Sequence, residues 1–149
     1  MLKLETWVAL GSLGMAAMFA VLMISFYLFL VGPDGKGPGV YVDPQGVLIQ
    51  IISISGVPSL VLAGTVFGLQ KTNTVKEAAV ILITVGILLV VSMAIVIMIV
   101  PKISSSYTFA SLHVVPFVFI ASGIGVAGLA GYLQYRSRIF RQNFEDEKY

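Results

Sequence analysis

Cysteine is absent from the 149 residues. That excludes disulfides, thiolate metal sites, iron–sulfur clusters, cysteine nucleophiles and thioether-linked haem. Histidine is nearly absent too. His113 is the only one, so a metal or haem site made within this chain would lack its usual ligands, and no cofactor is expected. Charge is the third shortage. Asp, Glu, Lys and Arg make up 11% of the chain, against about 25% in an average soluble domain. A soluble surface cannot be built from so little charge. Disorder, which requires low hydrophobicity, is excluded by 58% hydrophobic residues and a mean hydropathy of +0.99.

What is there falls into four long apolar runs: Trp7 to Val31, Val47 to Leu69, Ala78 to Val100 and Leu112 to Tyr135. Each exceeds the 18 or so residues needed to cross a bilayer. The first run is too long for a signal-peptide core and is expected to be kept as a span. None of the runs alternates at period two, so a β-barrel is excluded. The expected fold is all-α: an integral membrane four-helix bundle forming one domain, with helices at about 7–31, 47–69, 75–100 and 111–135 and a polar tail over 136–149. The link 32–46, GPDGKGPGVYVDPQG, is a turn-rich loop. Asp43-Pro44 predicts a helix start, with Asp43 as N-cap. Thr74-Val75-Lys76-Glu77 matches a capping box. Pro58 predicts a kink in the second helix, and Pro116 falls in the first or second turn of the fourth. Ile139, Phe140 and Phe144 fit one face of a short interfacial helix in the tail. A faint internal likeness lays Val57-Pro58 through Gly64 over Val115-Pro116 through Ser122.

Positive charge gives the orientation. Lys3, Lys71, Lys76, Arg136, Arg138, Arg141 and Lys148 lie on the side of the two termini, and only Lys36 and Lys102 lie on the other. The positive-inside rule predicts a multi-pass protein of the cell membrane with both termini cytoplasmic. Trp7, Tyr132 and Tyr135 are expected at the inner interface, and Tyr27, Tyr41 and Tyr107 near the outer one. Arg136, Arg138 and Arg141 read as a lipid-headgroup anchor rather than a nucleic-acid patch, so no nucleic-acid partner is expected.

Helices in lipid associate through close packing and occasional polar contacts, so small residues mark candidate contact faces. In the second helix Gln50, Ser53, Val57, Val61, Gly64 and Gly68 form one stripe. In the fourth, Pro116, Ile120, Gly123, Ala127, Gly131 and Gln134 form another, with further small residues around them. The first helix offers Ser12, Ala16 and Ala20. The third is mostly Val, Ile, Leu and Met and is expected to face lipid over much of its surface. Most of these faces serve packing within the bundle; the sharper expectation is that some dock another subunit.

No Asp, Glu, Lys or Arg lies within the four runs. Pumps and proton-coupled carriers place such groups there. The interior Ser and Thr residues are expected to bond to the preceding helical turn or to a neighbour. On the outer side, His113, Asp43 and Gln50 lie at one level and are candidates for an outer contact. The methionines within the spans read as apolar filler rather than a copper site. No Ser/His/Asp triad and no phosphate-cradling glycine loop can be assembled.

In shape the chain resembles the small four-helix accessory subunits that surround the catalytic subunits of respiratory oxidases and of copper-dependent ammonia or methane monooxygenases, archaeal ones in particular. The resemblance spans most of the chain but is one of architecture. No residue motif carries it, and no catalytic position transfers. It implies a non-catalytic subunit of a hetero-oligomeric oxidoreductase complex, in contact with the lipid bilayer and other membrane subunits. The alternative is a small oligomeric channel or carrier for a neutral or weakly charged solute, with Pro58 and Pro116 breaking helices around a pathway. An enzyme acting on lipid lacks its acid, base and metal ligands.

Overall fold

A computed structural model describes residues 3–70 and 76–147, without the side chains of Arg141, Phe144, Glu145 and Asp146. Every regular element among these residues is helical: α1 (Leu4–Val31), α2 (Pro44–Ile51), a π turn (Ile52–Gly56), α3 (Val57–Gln70), α4 (Lys76–Ile99) and α5 (Ala110–Asp146). Short 3-10 turns occupy Pro33–Gly35, Val100–Lys102 and Ser105–Tyr107. Four stretches are long and apolar enough to cross a membrane: Leu4–Val31, Pro44–Gln70, Lys76–Lys102 and Ala110–Phe140. At 1.5 Å per residue, even 20 residues match a hydrocarbon core of about 30 Å. The chain is a multi-pass, all-helical membrane protein.

Helix ends follow local chemistry. α1 stops at Gly32, whose φ of 64° suits a residue without a β-carbon. α2 begins at Pro44 as Asp43-Pro44 predicts, but the Asp43 side chain makes no capping hydrogen bond. Thr74 of the expected capping box, like Lys71, Lys148 and the Arg141 side chain, lies outside the described residues. The tail departs from the expected separate helix. α5 runs unbroken to Asp146, because no Gly or Pro follows Gly131 and Arg, Gln and Glu favour helix.

The two prolines are accommodated in different ways. A proline lacks the N–H that would bond four residues back, and its ring crowds that carbonyl. Ahead of Pro58 the backbone widens into the π turn, where the Val57 N–H bonds to the Ile52 carbonyl. Such single-turn π bulges relieve this crowding. Pro116 instead stays inside α5 and leaves the Leu112 carbonyl without its helical donor. The buried Tyr27 hydroxyl supplies one, donating to Leu112 O at 2.8 Å. Tyr27, near the end of α1, is fully buried within the bundle, where a freed carbonyl in an apolar interior demands a donor.

Packing follows the order second span, first, third, fourth. α4 lies against both α1 and α5, and the second span packs mainly on α1. α3 and α5 meet only sparsely. The third span is therefore central in the packing order, and it still keeps an exposed face. It buries Ala79, Leu82, Val85, Leu89, Met93 and Val96 while exposing Val80, Ile87, Val91 and Met98. Aliphatic side chains serve both faces, since lipid tails are as apolar as Leu. Phe19 of α1 and Phe119 of α5 reach each other across the bundle, with ring centroids 4.4 Å apart.

Candidate partner interface

Small residues form two kinds of surface in this molecule. The first is closed within the chain. Ser12 and Ser59 exchange hydrogen bonds between α1 and α3: Ser12 Oγ donates to Ser59 O at 2.9 Å, and Ser59 Oγ donates to Ser12 O at 3.0 Å. Ala16 and Ala20 continue the buried face of α1. Between α4 and α5, Gly86 and Gly123 let the two backbones approach. A β-carbon on Gly86 would lie 2.5 Å from the Gly123 carbonyl oxygen and 2.6 Å from Ala127 Cβ; one on Gly123 would lie 2.8 Å from the Gly86 carbonyl oxygen. Only glycine fits at such a crossing.

The second kind is open. Gln50, Ser53, Val57, Val61, Gly64 and Gly68 all face outward along the second span. Among the described residues, no atom beyond the local helical backbone lies within 4 Å of a β-carbon built on Gly64 or Gly68. The face of this span that packs is offset from the stripe and comprises Leu48, Ile51, Ser55, Ser59, Ala63 and Val66. Gly131 on α5 is half-buried, yet its built β-carbon also meets nothing within 4 Å. Gly125 and Gly128 are exposed in the same way.

The remaining candidates lie at the surface. His113, Asp43 and Gln50 are all exposed. Among the described residues no three His, Asp or Glu side chains stand together as metal ligands. Asp43 folds back over the first turn of α2, where its Oδ2 would lie 2.7 Å from a β-carbon on Gly46. Arg136 and Arg138 are exposed, and the Arg136 guanidinium carbon sits 5.6 Å from the centre of the Phe140 ring. That distance suits a cation–π contact. Trp7, Tyr132 and Tyr135 are exposed near the end that carries the termini, and Tyr107 instead packs its ring against Gly37.

The interior polar groups behave as expected. Ser55, Thr65, Thr84 and Ser122 each donate to the carbonyl four residues earlier, at 2.9 to 3.0 Å. Three structural residues were not legible as contacts. Gly86 stands in a mostly aliphatic helix, and its being the only glycine of that run is the one signal that could have marked it. Gly56 is pressed between Phe19 and Phe119, each 2.9 Å from its built β-carbon. Tyr27 could have been found by asking which donor serves the carbonyl freed by Pro116.

Compared with known proteins, the chain matches no family model, no curated protein and no solved structure.

Proposed function

We propose that this protein is a non-catalytic accessory subunit of a larger membrane complex, docked through the outward small-residue stripe of its second span. One observation carries this reading. Six residues from Gln50 to Gly68 form a continuous face, and its two glycines are left open rather than used inside the chain. An open glycine surface lets a partner helix approach closely, and Gln50 and Ser53 add hydrogen-bonding groups at one end. The absence of Asp, Glu, Lys and Arg from the four apolar runs fits a role in which chemistry belongs to neighbouring subunits. The excess of Lys and Arg on the side of the termini supports cytoplasmic termini in the cell membrane. The architectural resemblance makes oxidoreductase complexes, including archaeal monooxygenases, the first place to look for those neighbours.

The test is extraction in mild detergent followed by native sizing, on the wild type and on a Gly64→Leu/Gly68→Leu variant. The reading expects wild type to co-migrate with larger, cofactor-bearing chains and the variant to be released from them. A homogeneous homo-oligomer that conducts a solute in liposomes would replace the subunit reading with a channel.

A further inference from the structure

At the end of the bundle away from the termini, a groove of about 470 Å3 runs between the end of α4 and the start of α5. Its lining is divided. Ile97 and Val100, in the last turns of the third span, and Phe117, two turns into α5, form an apolar wall. Ser105, Thr108 and His113, from the connection and the first turn of α5, form a polar rim. The Thr108 hydroxyl donates to Ser104 O at 3.1 Å, so its proton is engaged and Ser105 and His113 remain as side-chain donors. The third span ends here, with Pro101 halting the helix, so the groove crosses the level at which the chain leaves hydrocarbon for the headgroup layer.

Charge narrows the ligand. Residues 97–117, which supply the whole lining, contain no Asp or Glu and carry Lys102 and His113. Lys102, between the lining residues Pro101 and Ile103 in sequence, is exposed beside the groove and does not line it. A complementary ligand is therefore anionic at one end and apolar at the other. A second groove, about 380 Å3 between α4 and α5 beside Gly86 and Gly128, is lined by apolar residues alone and offers nothing to a headgroup.

We propose that the divided groove is a binding site for an acidic membrane phospholipid. Its phosphate meets Ser105, His113 and Lys102, and the first part of an acyl chain lies along Ile97, Val100 and Phe117. The site is separate from the subunit-docking stripe and does not depend on that reading.

The experiment is native mass spectrometry of the full chain released from detergent and titrated with phosphatidylglycerol, phosphatidylcholine or inorganic phosphate. Phosphatidylglycerol is expected to be retained in preference to phosphatidylcholine. Lys102→Ala/His113→Ala should weaken that retention about tenfold, as expected for losing a charge-assisted hydrogen bond. Gly128→Leu, in the apolar groove, should leave it unchanged. Inorganic phosphate alone should give no adduct. Equal retention of the two lipids, an undiminished adduct in the double variant, or phosphate binding as tightly as lipid would each overturn the proposal. A photo-crosslinking residue at Ser105 gives an independent readout in membranes: a lipid-sized adduct is expected, and capture of a polypeptide would overturn it.

Discussion

The Gly86–Gly123 crossing and the Gly64–Gly68 stripe are built from the same material and do opposite things. At the first, two helices close until a single added carbon would strike backbone. At the second, the same added carbon would meet nothing. As sequence the four glycines look alike, since each lies within a long apolar run. The difference lies in which helix the fold sets opposite. α5 lies against α4, whereas the outer face of the second span stays exposed among the described residues. A small-residue face thus records that a helix surface permits close approach, and the tertiary arrangement decides whether the chain itself makes that approach.

This contrast can be broken by substitution. Gly86→Leu is expected to have the largest effect on stability, about 3 kcal/mol or a failure to fold, because the side chain must displace Gly123 and Ala127. Reversible unfolding in mixed micelles measures it, and a near-normal midpoint would mean that the crossing is looser than the structure shows. Tyr27→Phe should come next, at about 2 kcal/mol, since it strands the Leu112 carbonyl in the interior. Its cost should largely vanish in a Pro116→Ala background, where a backbone N–H returns to serve that carbonyl. Equal costs in both backgrounds would remove Pro116 from the explanation. Ser12→Ala and Ser59→Ala should each cost about 0.6 kcal/mol, the usual scale for a hydrogen bond between membrane helices. A cost several times larger would make the serine exchange the main lock between α1 and α3. Gly64→Leu/Gly68→Leu should be smallest, within about 0.5 kcal/mol for the isolated chain. A large loss in unfolding experiments would show that this face packs within the chain after all.

The two prolines offer a second contrast on a smaller scale. The segments around Pro58 and Pro116 can be aligned, and each removes one helical hydrogen bond. Yet one is absorbed locally by the π turn at Ile52–Gly56, and the other by a hydroxyl contributed from α1. A local solution can be anticipated from a proline in an apolar run. The distant one cannot, because it requires knowing that Tyr27 and Leu112, 85 residues apart, are neighbours.

Much of the architecture was legible because the bilayer imposes it. Length and apolarity mark the spans, and Gly32, Pro44 and Pro101 mark helix ends through backbone geometry. The back-bonding of Ser55, Thr65, Thr84 and Ser122 was legible too, since an interior hydroxyl has the preceding turn always within reach. The central position of the third span was not. Its Val, Ile and Leu side chains pack equally well on lipid or protein, so composition carries no signal of which they meet. The candidate contact residues divided for the same reason. Ser12, Ala16, Ala20 and Gly123 are buried, while Gly64, Gly68, His113, Asp43 and Gln50 are exposed.

By itself the sequence determined that this is a helical membrane protein with four spans, few charges and none within its apolar runs. Those properties follow from transfer energies and helix geometry, which act residue by residue. The tertiary structure alone decided which span is central, which glycines are consumed in packing and which remain open, and that Tyr27 serves the carbonyl left by Pro116. Each of those depends on which helix lies beside which. In lipid that choice rests on the fit between surfaces, which no single helix carries.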